Sequence, residues 1–192
     1  MIPLYENDGK TWFPLGFPMS QNRMSIPTWS YAMEKHPPKT IIEIGTNCGG
    51  FTCVLAMHAW RIGAHIHTYD LMVAPSDYLG PFAKLLPVTF HKSDCFDEAS
   101  VKEIESIIRK SAPVYLLCDG GNKPKEFNLF AGMLRKGDVI GAHDYCSRSG
   151  DYWPWSEITQ HDVEKTVTQC NLEPFMQQHF DIAGWLVFRK ER

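Results

Sequence analysis

A glycine-rich turn is the first part of the sequence that could bind a ligand. An apolar run at residues 40–44 contains Glu43 and leads into Gly45, Thr46, Asn47, Cys48, Gly49 and Gly50. Glycines between a strand and a helix expose backbone N–H groups, which bind carboxylates and phosphates. The dinucleotide fingerprint G-x-G-x-x-G would need a glycine at position 47, where this chain has Asn47. The turn therefore predicts a cofactor site and argues against NAD.

An acidic residue, Asp70, ends the next apolar run, and Leu71 comes directly after it. Asp70 follows Gly50 by about 20 residues, the usual spacing between a glycine turn and the carboxylate that binds the two hydroxyls of a ribose. The turn and the acid together predict a cofactor that contains a nucleoside.

Two further acids, Asp119 and Asp144, end later apolar runs, and His143 stands beside the second of them. Because the carboxyl ends of parallel strands meet at one edge of a sheet, we expect these side chains to lie close together. Two carboxylates offer the oxygen ligands that Mg²⁺ prefers, and a histidine with an ordinary pKa of about 6.5 is a candidate general base. The alternatives are structural: a turn residue, a helix cap and a hydrogen-bonded packing histidine.

Short apolar runs alternate with longer helical patterns along the chain, which predicts a doubly wound α/β fold with a parallel sheet buried on both faces. A first helix is expected to open at Pro27 and Thr28 and to stop at His36, before two prolines that cannot continue it. The predicted strands are 40–44, 65–69, 88–91, 114–118 and 138–143, and the helices between them are 51–60, 78–86, 99–110 and 125–134. The tail predicts a helix at 156–168 and two antiparallel strands at 175–180 and 184–189.

The length of 192 residues suits one domain. Residues 1–28 are interpreted as an irregular N-terminal arm and residues 29–192 as the domain. A formal net charge of −3 argues against a partner bound through phosphates, and no apolar run reaches the roughly 18 residues of a membrane span. The six cysteines form no C-x-x-C pair, so we expect reduced thiols and a cytoplasmic protein.

The motifs in this order resemble class I S-adenosylmethionine (SAM)-dependent methyltransferases over roughly residues 27–190. The resemblance is based on the acid and glycine turn of the first strand, Asp70, His91 to Phe96, the D-G motif at Asp119, and the H-D-Y motif at His143. The resemblance implies a Rossmann-like seven-stranded sheet with an antiparallel last strand. It is greatest to the small-molecule O-methyltransferase and cephalosporin-hydroxylase-like group. That group often continues the D-G motif with a histidine and an aromatic residue, whereas this chain continues with Gly121, Asn122 and Lys123.

The resemblance also implies roles for individual residues. The methionine part of SAM would face Glu43 and the turn residues Gly45, Thr46, Asn47, Gly49 and Gly50. The ribose would bind Asp70 beside Leu71, and the adenine edge would meet Asp94 and Cys95. Asp119 would lie at the cofactor and, with Asp144, would hold a divalent cation, while His143 and Asp144 would be catalytic.

The expected activity is SAM-dependent methylation of a hydroxyl group on a small molecule, such as a sugar or a specialised metabolite, with or without Mg²⁺. A homo-oligomer is compatible with the sequence. One alternative is a hydroxylase-like oxidoreductase whose acids hold iron, although iron favours more imidazole than His143 supplies. Another is a non-catalytic module that binds SAM and a partner. Nucleic-acid methylation would require a basic stripe, and the Lys and Arg residues are scattered.

Overall fold

The computed structural model describes residues 17–71, 84–146 and 156–192. The helices are α1 (Ser25–Lys35), α2 (Gly50–Ile62), α3 (Glu98–Lys110), α4 (Lys123–Phe130), α5 (Gln160–Gln169) and α6 (Gln177–Asp181). The strands are β1 (Thr40–Ile44), β2 (His65–Asp70), β3 (Val88–Lys92), β4 (Val114–Cys118), β5 (Val139–His143), β6 (Leu172–Pro174) and β7 (Trp185–Lys190).

The strands form one seven-stranded sheet in the order β3-β2-β1-β4-β5-β7-β6. The first five strands are parallel to one another, and β7 runs antiparallel to both β5 and β6. Strand order reverses between β1 and β4, and ligands of such sheets bind outside the carboxyl ends of the strands at this switch point. The predicted doubly wound fold with an antiparallel last strand is therefore confirmed.

Both faces of the sheet are covered, which explains why the central strands lack the alternation of polar and apolar residues. Every residue of β1, β4 and β5 is buried. One core contains Trp29 of α1 and Leu55 of α2, packed on residues such as Tyr115 and Trp185. The other core contains Ile104 of α3 and residues of α4 and α5. The sheet is thus a rigid platform that fixes where the strand ends lie.

The strand predicted at 175–180 is wrong, because β6 ends at Pro174 and residues 177–181 form helix α6. A proline has no N–H group with which to extend strand pairing. Beyond Pro174, the side chain of Gln177 makes the hydrogen bonds to β7 that the backbone of a neighbouring strand would otherwise make. Its amide accepts from the Val187 N–H at 3.0 Å and donates to the Trp185 carbonyl at 3.0 Å. The antiparallel pairing itself was predicted correctly, but for the wrong residues.

Two predicted helix starts also shift. Helix α1 begins at Ser25, so Pro27 lies in its first turn, where its missing N–H does no harm. Helix α5 begins at Gln160 instead of 156, because Thr159 and Asp162 form a capping box there. The helix predicted at 78–86 falls largely outside the described residues. The division at residue 28 between arm and domain stays a prediction.

The described helices and cysteines bear on two further expectations. None of the helices in the three described ranges combines the length and apolar character that crossing a bilayer requires. All six cysteines are free thiols, as expected for reduced residues.

Asp138 connects β4 to β5, and its removal should destabilise the fold. Its fully buried carboxylate accepts from the N–H groups of Val114 at 2.7 Å and Arg135 at 2.8 Å. We expect Asp138→Ala to lower the free energy of unfolding by about 2–5 kcal/mol, because the buried Val114 N–H and the partly buried Arg135 N–H both lose their acceptor. Denaturant unfolding measures the loss. The exposed Glu173→Ala is the control and should change stability by less than about 0.5 kcal/mol; equal effects would contradict the assigned role.

Candidate active site

A cavity of about 190 Å³ opens at the carboxyl ends of β1, β4 and β5. Its walls come from the glycine turn after β1, the ends of β4 and β5, the start of α4, and a segment of the N-terminal arm. The lining residues are Pro18, Met19, Ser20, Gln21, Gly45, Thr46, Asn47, Cys48, Gly50, Phe51, Asp119, Lys123, His143 and Asp144. This is where the topology predicts a ligand.

The glycine turn can form this wall because two of its positions lack a Cβ atom. Gly45 has a φ of +92°, and a Cβ there would lie 2.2 Å from the Asp119 carbonyl oxygen. A Cβ on Gly50 would lie 2.1 Å from the carbonyl oxygen of Pro18. The turn therefore packs directly on the end of β4 on one side and on the N-terminal segment on the other.

Asp70 is connected to the turn through a backbone hydrogen bond. The Asn47 N–H donates to Asp70 Oδ2 at 2.8 Å, and Asn47 has a φ of 47°. The hydroxyls of Thr46 and Thr68 also share a hydrogen bond of 2.6 Å. The end of β2 is thereby held beside the end of β1, as a site that spans both strands would require.

Glu43 is 1% exposed and lies beneath the turn. The hydroxyls of Thr52 on α2 and Thr68 on β2 each donate to its Oε2 at 2.6 Å, while Oε1 has no hydrogen-bond partner. Burial raises the pKa of this carboxyl to about 8, although the two hydroxyls act in the opposite direction. Glu43 thus joins three elements under the turn and is neutral at pH 7.

Four titratable side chains, which we call the acid–base cluster, meet across the cavity: Asp119, Lys123, His143 and Asp144. His143 Nδ1 lies 3.0 Å from Asp119 Oδ1 and 3.3 Å from Asp144 Oδ1. Burial alone would lower the pKa of His143, but the two carboxylates outweigh it and raise the pKa to about 9. Burial also acts to raise the pKa of Asp144, yet His143 and Lys123 hold it below its usual range.

Lys123 is only 4% exposed, which is unusual for a lysine. Its Nζ lies 3.0 Å from Asp144 Oδ2, 2.7 Å from Glu157 Oε2 and 3.9 Å from Asp119 Oδ1, and it donates to the Gly120 carbonyl at 3.0 Å. Burial would lower its pKa, but the surrounding carboxylates raise it above the ordinary value. The ammonium is therefore a fixed positive charge that orients Asp144.

The N-terminal arm also reaches the acid–base cluster. The side-chain amide of Gln21 donates to Asp119 Oδ2, while its own Oε1 is buried without a partner. Met19, two residues earlier, is 2% exposed and packs in the core. Asp119 consequently contacts Gln21 with one oxygen and His143 with the other.

The residues present fit a divalent cation. Asp119, His143 and Asp144 each offer one ligand atom, and these atoms lie within 4.8 Å of one another. Within the described ranges this is the single group of three such donors. Carboxylate oxygens suit Mg²⁺, and an imidazole nitrogen also suits Mn²⁺ or Zn²⁺.

The structure brings about half of the predicted site residues to the cavity. Gly45, Thr46, Asn47, Gly50, Asp119, His143 and Asp144 line it. The residues outside the lining are Glu43, Gly49, Asp70, Leu71, Asp94 and Cys95. Among these, Gly49 is the residue before the start of α2 and has a φ of 79°, and Asp94 accepts from the Phe96 N–H at 2.9 Å. Leu71 is 62% exposed and Cys95 is buried. The predicted roles of all these residues stay predictions.

Sequence reasoning missed Lys123 and Gln21. Lys123 begins a helix four residues after Asp119, and the turn between them brings its ammonium back toward that carboxylate, so the short separation along the chain is a usable signal. Gln21 carries no such signal, because its position depends on how the arm crosses the sheet edge.

Comparison with known proteins supports the same fold. No protein-family model matches the sequence, and no curated protein matches it. Among solved structures, an apo form of CmcI has a TM-score of 0.74 at 18% identity, covering 100% of this chain and 81% of that one. A CmcI structure with Mg and SAM has a TM-score of 0.72 at 18% identity, covering 100% and 82%. A Staphylococcus aureus protein provisionally described as a caffeoyl-CoA O-methyltransferase has a TM-score of 0.61 at 14% identity, covering 88% and 84%.

The chain therefore has the Rossmann-like fold of class I SAM-dependent methyltransferases, as its motifs predicted. Two of the structurally similar proteins are described as O-methyltransferases, the group to which the resemblance pointed.

The buried carboxyl of Glu43 should make stability depend on pH. Its pKa is about 8 in the folded protein against 4.5 for the ordinary group. As pH rises through that window the unfolded chain releases the proton while the folded chain keeps it, so the wild type loses stability. Relative to wild type, Glu43→Gln should therefore gain about 5 kcal/mol between pH 4.5 and pH 8. Denaturant unfolding at pH 5, 6.5 and 8.5 measures this gain, and a difference independent of pH would contradict it.

Proposed function

We propose that this protein is a SAM-dependent methyltransferase that acts on a hydroxyl group of a small molecule in the cytoplasm. One observation carries the proposal: the glycine turn after β1 and the acid–base cluster at the ends of β4 and β5 line the same cavity. A donor held by the turn would thus lie next to side chains that can orient an acceptor. The fold, with its site at the topological switch point, supports the same reading.

The donor end of the cavity suits the methionine part of SAM. Backbone N–H groups at the start of α2 can bind its carboxylate. Asp70, fixed to the turn by Asn47, is the candidate partner of the ribose hydroxyls. When bound, SAM would supply a methyl group that its sulfonium has already activated. The task of the protein is therefore to align an acceptor with that methyl group and to remove a proton.

In the proposed reaction the acceptor oxygen forms a bond to the methyl carbon as the sulfur–carbon bond breaks and its electron pair returns to sulfur. The hydroxyl proton must pass to a base. His143 lies within the cavity, but its raised pKa means that it carries a proton at pH 7. Neutralising the charges of Asp119 and Asp144 would remove the cause of that raised pKa and return the imidazole to its basic form.

Asp119, His143 and Asp144 are the residues that would hold a divalent cation here. Such an ion would stabilise the negative charge that develops on the acceptor oxygen. Lys123 keeps Asp144 ionised and turned toward the cavity, since it contacts the second oxygen of that carboxylate. The fold alone does not select the acceptor atom, because carbon and nitrogen methyltransferases share it. The proposal of an oxygen acceptor therefore depends on this cluster.

Isothermal titration calorimetry with SAM, S-adenosylhomocysteine and NAD tests the donor. We expect SAM and S-adenosylhomocysteine to bind and NAD not to bind. Asp70→Asn should weaken SAM binding roughly 10- to 100-fold, because a hydrogen bond to a charged acceptor is lost. Glu164→Gln on exposed α5 is the control and should bind like wild type. Binding of NAD in place of SAM would overturn the donor assignment.

Transfer of a labelled methyl group tests the chemistry. SAM with a ¹³C methyl group is incubated with panels of sugars, phenols, catechols and amines, and products are identified by mass spectrometry, with and without EDTA. Asp144→Asn should keep SAM affinity within about twofold and lower transfer at least roughly 100-fold, because the orienting carboxylate is lost while the donor end is intact. Full transfer by this variant would show that Asp144 takes no part in the reaction. Labelling of amines alone would show that the acceptor is a nitrogen and not a hydroxyl oxygen.

A further inference from the structure

Both carboxylates of the acid–base cluster are held in the same way. Asp144 Oδ1 lies 3.3 Å from His143 Nδ1, while Lys123 contacts Asp144 Oδ2 at 3.0 Å. Asp119 Oδ1 lies 3.0 Å from the same nitrogen, while the side-chain amide of Gln21 donates to Asp119 Oδ2. Each carboxylate therefore has one oxygen fixed by an outer donor and the other oxygen beside the imidazole of His143.

Gln21 belongs to the N-terminal segment, and the fold holds this segment on both sides of it. Two residues earlier, Met19 packs in the core. The next residue, Asn22, donates from its side-chain amide to the Ile182 carbonyl at 3.2 Å. Gln21 itself is only 6% exposed. Because its neighbours are already fixed, the contact with Asp119 orders little more than one side chain and so costs little conformational entropy.

The other end of the Gln21 amide is a buried acceptor. An ionised carboxylate only accepts hydrogen bonds, so the NH₂ group of Gln21 must be the end that faces Asp119. The remaining oxygen, Oε1, is buried and has no hydrogen-bond partner among the described residues. Such atoms are rare in folded proteins, and a catalytic role or a bound water or ion commonly explains them. Gln21 lines the cavity, so a ligand there can supply the missing donor.

A neutral donor suits this position better than a charged one. The ammonium of Lys123 already brings a fixed positive charge to the cluster, 3.9 Å from Asp119 Oδ1. A further positive side chain beside Asp119 would repel a divalent cation. Gln21 orients this carboxylate and adds no charge, so Asp119 keeps its attraction for the ion. Mg²⁺ also retains several water molecules when it binds to proteins, and their O–H groups are donors of the kind that Oε1 lacks.

We propose that Gln21 is a positioning residue for a divalent cation: it holds Asp119 Oδ2 so that Oδ1 stays available to the ion, as Lys123 does for Asp144. This inference rests on the proposed function, in which Asp119, His143 and Asp144 would hold that cation. Hydrogen bonds to ligating carboxylates are typical outer contacts of metal sites, and their loss commonly lowers metal affinity by about 10- to 100-fold. The N-terminal segment thereby becomes part of the metal site.

Binding of Mn²⁺ to the full chain tests the proposal, because the electron paramagnetic resonance signal of free Mn²⁺ measures the unbound ion. Gln21→Met keeps the length of the side chain and removes both polar ends of the amide. We expect this variant to bind Mn²⁺ roughly 10- to 100-fold more weakly than wild type, with SAM affinity by calorimetry within about twofold. Gln169→Met, the same change at the exposed end of α5, is the control and should bind Mn²⁺ like wild type. Unchanged Mn²⁺ affinity in Gln21→Met would overturn the proposal, and so would equal losses of Mn²⁺ and SAM affinity, which would indicate a general packing role.

A double-mutant cycle tests whether Gln21 acts through Asp119. Asp119→Ala should weaken Mn²⁺ binding by itself, because a carboxylate ligand is lost. Adding Gln21→Met to Asp119→Ala should then lower Mn²⁺ affinity by less than about twofold further, because the carboxylate that Gln21 positions is already absent. Losses that multiply in the double variant would show that Gln21 acts independently of Asp119.

The wild-type protein separates this inference from the proposed reaction. We expect it to bind both SAM and Mn²⁺. Binding of SAM without any binding of Mn²⁺ would overturn the role of Gln21 and leave the methyltransferase assignment standing. Binding of Mn²⁺ without SAM would overturn the donor assignment, while the Mn²⁺ affinity of Gln21→Met would still decide the role of Gln21.

Discussion

The contact between Gly45 and the carbonyl of Asp119 is the constraint on which the site depends. A Cβ atom at residue 45 would lie 2.2 Å from that oxygen, so only glycine lets the turn after β1 fold against the end of β4. Because of this contact, the backbone N–H groups of the turn and the acid–base cluster belong to one cavity. The reversal of strand order between β1 and β4 creates the crevice, and the missing side chain lets both walls approach it.

The charges in the cavity depend on one another in the same way. Lys123 and His143 are buried, and each would be costly to ionise without the carboxylates of Asp119 and Asp144 beside it. Glu157 and the arm residue Gln21 complete the set of partners. These groups are held in place before any ligand arrives, which is the arrangement by which enzymes stabilise developing charge. A ligand that enters must exchange contacts with groups that are already paired.

Much of the fold could be predicted from local patterns, and less of the site. Apolar runs located β1, β4 and β5, since a strand buried on both faces must be apolar whatever its neighbours are. The tail was misjudged because Gln177 completes the pairing of β7 with a side chain, which no propensity describes. Glu43 lies below the turn, bound by Thr52 and Thr68, while its expected role at a ligand stays a prediction. The burial that raises the pKa of Glu43 could not be predicted from the sequence, because burial belongs to the packed molecule.

By itself, the sequence determined the five parallel strands, the glycine turn and the acids that end the strands, because these follow from residue type and spacing along the chain. Only the tertiary structure decided that Lys123 lies among the carboxylates and that Gln21 reaches Asp119. Each of these contacts joins residues through the register and packing of separate elements. Local sequence carries no record of which side chains such packing will bring together or what it will do to their charges.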